Sequence, residues 1–462
     1  MATALVNQAN QRKNPPGPRR RNFFGSLQDV RTDPLRLYME ATQAFGDVVR
    51  FRSLPTIHWY LLNNPEDVEY VLQKNSQNYA RDIFSTRAFQ PLIGEGLLIS
   101  TGDFWRRQRR LAQPAFHRPR LAALASTMAG AAASMAERWG VQAKSAEPFD
   151  VAAEMMRLTL QIVGLALFST DLSRAADTVR RALKTSFEHV NFRLTHVPIL
   201  PDWFPTARNR RFQEARRELD EVVHSIIEER RRKGVDAGDL LSMLMLARDE
   251  ETGEGMSDLQ LRDEIITLLI AGHETGATAL AWTWYLLAQN SEAESSLHDE
   301  LKEVLGGRTP GFEDLPRLAY TRMVIDEALR LYPPAWGMAR QAANEDEIRG
   351  YHIPAKALVV FSQYVIQRDP RFWENPSAFE PERFSQEHTA ARPRYSYFPF
   401  GGGPRVCIGN NFAMMEMQLI LATLAQRFSL RLVAEHPVEP VPLVTLRPRN
   451  GIQVTVHEHS AS

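Results

Sequence analysis

Cys407 is the only cysteine in the chain, and it stands in Phe400-Gly401-Gly402-Gly403-Pro404-Arg405-Val406-Cys407-Ile408-Gly409. A lone thiol excludes an intramolecular disulfide and an all-cysteine metal site. An arbitrary single cysteine is more often an inert buried thiol, but here the pattern around it argues for use. Three glycines allow a tight turn and close approach to a flat group. The apolar run after Gly409 predicts a helix, whose first N–H groups and positive end favour a thiolate. Arg405, two residues away, is a donor for a carboxylate.

Three further groupings carry chemistry. Ala271-Gly272-His273-Glu274-Thr275 interrupts a long apolar segment with an acid and a hydroxyl side by side. Thr275 can donate back to the carbonyl of Ala271, open the helix locally and leave a niche for water. Glu327 and Arg330, three apart, share one helix face. Their apolar neighbours predict burial, and a buried pair needs additional partners. Trp105 and Arg109, four apart, offer an indole N–H and a guanidinium on one face. Alone, that last pair reads equally as a core tryptophan and a solvated arginine.

The Cys407 segment matches every fixed position of F-x-x-G-x-R-x-C-x-G, and the chain from about residue 15 resembles the cytochrome P450 family. The resemblance implies a heme b cofactor whose iron takes the Cys407 thiolate, with Phe400 and Gly409 in the same signature. It implies that Trp105, Arg109, Arg340 and Arg405 bind the haem propionates. Glu274 and Thr275 occupy the positions of the family's acid–alcohol pair, which relays protons to dioxygen. Gly276 departs from the Thr or Ser commonly found next. Glu327-x-x-Arg330 and Pro381-Glu382-Arg383-Phe384 correspond to the family's E-x-x-R and P-E-R-F, and imply a structural Glu327–Arg330–Arg383 network.

These residues need particular elements to hold them. Ser257-x-x-Gln260 is a capping box opening a helix that continues to about Asn290. A helix over Arg317–Leu331 stops before Pro333-Pro334, and another runs from Gly409 to about Gln426. Asn209–Lys233 is an arginine-rich helix after a break from Val197-Pro198 to Phe204-Pro205. Residues 46–64 predict a β-hairpin around Leu54-Pro55, and short strands are expected near 348–363, at 431–433 and at 452–456. The fold class is mainly α with a minor β region. Residues 1–22 are expected to form a flexible basic, proline-rich arm, and 23–462 a single catalytic domain with a large α-rich part and a smaller β-rich one. Acidic and basic residues number 55 each, so no global charge points to nucleic acid. The Ile265–Ala288 stretch carries a charge at its middle, which reads as a buried helix rather than a membrane span. With no apolar leader, a cytoplasmic protein without a membrane anchor is expected.

The resemblance implies insertion of one oxygen atom of O2 into a lipophilic substrate. Chain length beyond Cys407 leaves no room for a flavin domain. NAD(P)H electrons are therefore expected through a separate reductase and a ferredoxin- or flavodoxin-type partner, docking near Arg106, Arg107 and Arg110. Alternatives are a peroxide-driven or isomerising relative and a non-enzymatic gas sensor or carrier; the acid–alcohol pair argues against both. Candidate pocket residues are Phe84, Phe89, Leu97, Phe192, Ile270, Ala271, Ala335, Trp336, Met338 and Leu446, an apolar set. A fatty acid would need an anchor from Tyr60 or Arg52. A neutral terpenoid or steroid would not, and a polyketide scaffold stays in view.

Overall fold

The computed structural model describes residues 13–19, 25–52, 58–172, 175–196, 200–248 and 253–459. Most of the expected N-terminal arm, the Leu54-Pro55 hairpin tip and the start of the break at Val197-Pro198 lie outside them. The chain divides into two compact units.

The smaller unit comprises residues 1–85, 337–374 and 393–406. Its core is a five-stranded sheet. Strands β1 (Val48–Arg52) and β2 (His58–Leu62) form the expected hairpin, pairing antiparallel with Phe51 opposite Trp59. Next to β2 lie β8 (Leu358–Phe361), β5 (Met338–Ala342) and β3 (Tyr79–Arg81), in the order β1-β2-β8-β5-β3. Strands β6 (Asp346–Ile348) and β7 (Tyr351–Ile353) make a separate hairpin. Tyr60, Leu62, Val359, Phe361 and Phe398 bury one apolar face of the sheet. The expected β-rich part is thus present, but it also recruits β3 and β5, which carry no alternating pattern.

The larger unit, residues 86–336, 375–392 and 407–462, is mainly helical. Its helices include α1 (Gly102–Ala112), α2 (Arg118–Ser145), α3 (Val151–Phe168), α4 (Ala176–Thr195), α5 (Ala207–Lys233), α6 (Asp258–Leu287), α7 (Ala319–Leu331) and α8 (Asn410–Ala425). Both halves of the Ser257–Gln260 capping box are formed at the start of α6. That helix is the axis of the unit, with α3, α7 and α8 packed around it. α3 and α6 are both long and apolar enough to cross a membrane, but 61% and 83% of their most apolar windows are buried inside the protein. α5 ends on Arg230–Lys233 with Gly234 at a φ of 60°. Basic residues there complement the helix dipole, and glycine tolerates the left-handed cap. Two small antiparallel sheets complete the unit: β4 (Phe149–Asp150), β12 (Gln453–Glu458) and β9 (Phe428–Leu432), and the pair β10 (Pro440–Pro442) and β11 (Leu446–Pro448).

Candidate active site

In the larger unit Cys407 lies two residues before Gly409, the N-cap of α8. Its side chain is accessible, yet enough protein surrounds the sulfur that desolvation dominates and pushes the thiol above its ordinary pKa. The Gly409 N–H and the Arg109 guanidinium pull it down, but by less. The Gly409 N–H and Arg109 thus act in the expected direction, against the burial of the sulfur. A coordinating metal cation would be needed to deprotonate the sulfur outright. Arg109 sits 5.8 Å from the centre of the Trp105 ring, so the i,i+4 pairing is real. Both residues are half-buried and border a recess of about 360 Å³ with Arg106, Arg110 and His117. Arg107, on another face of α1, donates to the Glu254 carbonyl at 3.2 Å and so does not share the surface of Arg106 and Arg110.

The middle of α6 is almost wholly buried, with Ala271 exposed and Thr275 half-exposed one turn on. The Thr275 hydroxyl donates to the Ala271 carbonyl at 2.7 Å, as expected. The helix nevertheless runs unbroken, so the anticipated local opening does not occur. Glu274 points elsewhere: its Oε1 accepts from Arg447 Nε at 2.7 Å and pairs with Nη2 at 2.5 Å, and the Thr445 hydroxyl donates to the same oxygen. Its Oε2 is buried without a partner. The side chains of Glu274 and Thr275 thus engage different partners. His273 ties α6 to α3: its ring Nε2 lies 3.0 Å from the Met156 carbonyl, and its own carbonyl accepts the Thr159 hydroxyl at 2.9 Å. Burial depresses the His273 pKa to about 4, so the ring is neutral at pH 7. Gly276 has a packing reason, because a Cβ there would sit 3.0 Å from Glu416 Oε2 on α8. Glu416 is fully buried and burial holds its carboxyl well above the usual range.

The expected structural network is formed within the larger unit. Arg330 Nε and Nη2 donate to the two Glu327 carboxylate oxygens at 2.6 and 2.7 Å, and both residues have no exposed surface. Arg330 also donates to the carbonyls of Pro376 and Ala378, and the Glu380 N–H donates to Glu327. Arg383 stands 3.5 Å from Glu327 and 2.7 Å from Glu380. These are the additional partners that a buried pair requires.

In the smaller unit, Arg340 on β5 lies directly opposite Arg81 on β3. Burial, then the nearby Arg81 and Arg405, lower the Arg340 pKa to about 9. Like charges facing each other across strands are destabilising, so the trio is suited to an anion. Arg81 was not foreseen, since nothing local to Tyr79-Ala80-Arg81 marks it. The glycines make the expected tight turn, and a Cβ on Gly402 would strike the Tyr395 ring and one on Gly403 the Leu72 carbonyl, at 2.4 and 1.7 Å. Their close approach is to this unit's own atoms.

A model of the family described as Cytochrome P450 matches residues 15–456. The chain belongs to the cytochrome P450 family. Its relatives include Cyclooctatin synthase of Streptomyces melanosporofaciens, 39% identical over 90% of this chain and 88% of that protein. Cyclooctat-9-en-7-ol 5-monooxygenase of the same organism is 37% identical over 88% and 86%. Pentalenene oxygenase of Streptomyces avermitilis is 34% identical over 88% and 90%. As a cytochrome P450 the chain is a haem-thiolate monooxygenase, an oxidoreductase that uses haem iron, dioxygen and supplied electrons.

The pocket candidates of this P450 separate on inspection. Leu446 is wholly buried, its N–H donating to the Pro334 carbonyl and its carbonyl accepting Trp282 Nε1 at 2.7 Å, which makes it core. Ile270 and Leu97 are also buried. Phe192 lies between Arg208 and a stacked His196. Ala335 is exposed, and Trp336 is half-buried with its indole N–H on the Leu443 carbonyl. Phe89 is half-buried, and Phe84 and Met338 belong to the smaller unit, where Phe84 is 46% exposed. Tyr60 is 1% exposed within the sheet core, so it presents no anchor for a fatty-acid carboxylate.

Proposed function

We propose that this cytochrome P450 hydroxylates a neutral terpenoid in the cytosol, and that Cys407 would hold the iron of a heme b. The observation that carries the cofactor assignment is the opposition of half-buried Arg81 and buried Arg340 beside Arg405, a cation set that fits carboxylates. Trp105, Arg109, Arg340 and Arg405 would hold the haem propionates, with Arg81 as a further cation, and Phe400 and Gly409 belong to the same segment as Cys407. When bound, the haem supplies dioxygen activation: substrate, O2, two electrons and two protons become the alcohol and water.

The chain's own residues prepare that reaction. The exposed Ala271 leaves room beside the Thr275 hydroxyl. Thr275 Oγ1, as both donor and acceptor, holds a proton near the reacting oxygen, and Glu274 Oε2 supplies one from within the protein. Terpenoid chemistry draws support from the relatives named for pentalenene and cyclooctat-9-en-7-ol, and from the absence of a Tyr60 anchor. Electrons would come from a ferredoxin- or flavodoxin-type protein meeting Arg106 and Arg110, both exposed. Cys407→Ser should abolish the long-wavelength Soret band of the reduced carbon monoxide complex; its survival would refute the ligand assignment. Spectral titration should give a high-spin shift with terpene hydrocarbons and matched fatty-acid methyl esters bound no worse than the acids. Tight binding of acids alone would overturn the substrate class.

A further inference from the structure

Three donors converge on one oxygen of Glu274. Arg447 contributes Nε and Nη2, Thr445 contributes its hydroxyl, and all meet at Oε1. The carboxylate is 1% exposed, and Oε2 is left buried and unpartnered. Both donors come from the end of the β10–β11 turn, at β11 and the residue before it. That strand is pinned to its surroundings by two bonds made by Leu446 and one made by Leu443. Arg447 also lies over the Phe187 ring of α4, at 5.4 Å. The donors are therefore fixed in place rather than adapting to the acid.

We propose that Arg447, assisted by Thr445, is a positioning residue for proton delivery, fixing Glu274 so that Oε2 alone is free to carry a proton. This rests on the role given to Glu274 above. A carboxylate with one oxygen saturated by a guanidinium and a hydroxyl has a defined orientation and a single basic site. The step is a simple transfer: the buried Oε2 takes up a proton delivered through the protein interior and releases it for the reaction, and the carboxylate is regenerated. Without Arg447 the side chain is free to rotate, and a charge buried at this depth loses its counter-ion.

The test compares Glu274→Gln, Arg447→Met, Arg447→Lys and the Glu274→Gln/Arg447→Met double variant in the haem-loaded protein. The probe is the terpene hydrocarbon giving the largest spin shift in the titration above. Product per reduced nicotinamide should fall about tenfold in Arg447→Met, matching Glu274→Gln, with the balance released as hydrogen peroxide. The double variant should be no worse than Glu274→Gln, since both act through one carboxyl. Arg447→Lys should recover part of the coupling while substrate affinity stays unchanged. Independently of turnover, the loss in thermal midpoint caused by Arg447→Met should vanish in the Glu274→Gln background. Wild-type coupling in Arg447→Met, or a double variant whose two losses multiply, would overturn the positioning role. Wild-type coupling in Glu274→Gln would overturn the role of Glu274 itself.

Discussion

Replacing Glu327 by alanine removes the centre of the buried network and leaves Arg330 charged with no exposed surface. Two bonds of 2.6 and 2.7 Å to Arg330 disappear, the Glu380 N–H loses its acceptor, and Arg383 keeps Glu380 as its carboxylate partner among the described residues. Arg330 retains the Pro376 and Ala378 carbonyls, which satisfy hydrogen bonds but carry no net charge. Breaking a buried pair on one side costs about 3–5 kcal/mol. Against a total stability of about 5–15 kcal/mol, that is enough to lower the yield of folded protein. Glu327→Gln retains the shape and one acceptor oxygen and should lose less. Urea unfolding of the three proteins, followed by tryptophan fluorescence and by haem absorbance, gives the differences. A loss in Glu327→Ala of under about 1 kcal/mol with full haem content would put the pair among surface-like ion pairs and refute the argument.

Thr275→Ala should keep haem and substrate binding but divert electrons to hydrogen peroxide; an unaltered ratio of product to nicotinamide would remove the hydroxyl from the reaction. Glu264, 1% exposed on α6, has its pKa raised by burial from 4.5 to about 7, against the pull of the Leu97 N–H and with a further push from Asp263. A raised carboxyl contributes stability present below pH 4.5 and lost as pH rises through 7, at about 1.4 kcal/mol per pH unit and about 3 kcal/mol in all. Glu264→Gln should therefore flatten the stability profile between those limits, and parallel profiles for the two proteins would refute this. Gly403→Ala should fail to fold its loop, since φ is 66° and the Leu72 carbonyl blocks the Cβ; the backbone strain alone costs about 1–3 kcal/mol, and a thermal midpoint equal to wild type would contradict it. Reduction of the haem by a ferredoxin should slow with salt and slow further in Arg106→Ala/Arg110→Ala; rates independent of ionic strength would point to another surface.

The features legible in the sequence are those written locally. The capping box at Ser257 and the long, mostly apolar segment after it placed α6 within a few residues of its ends. Two prolines after Leu331 gave the end of α7, and the spacing of Glu327 and Arg330 gave their pairing. What stayed hidden depends on partners far along the chain. Glu274 meets Arg447 across 173 residues, and no local pattern announces such a contact. β5 is defined by pairing with β8 and β3 rather than by alternation, so Arg340 was readable only by resemblance and Arg81 not at all. Leu446 was named as a pocket candidate by resemblance, and the burial of its side chain could not be read locally. The helix start at Cys407 was legible, but the balance between its N–H groups and burial of the sulfur needed the surrounding atoms.

On the proposed cofactor assignment, the opposition of Arg81 and Arg340 makes haem loading a contributor to the sheet's own integrity. Whatever anion neutralises them binds the paired strands and not the separated ones, so loading is linked to β3–β5 pairing through mass action. Haem-deficient protein should therefore exchange amide hydrogens along Tyr79–Arg81 and Met338–Ala342 faster than along β1 and β2, which carry no such directly opposed pair of arginines. In cells short of haem, the same fraying would expose this edge of the smaller unit to proteases first, giving turnover of unloaded chains a defined point of entry.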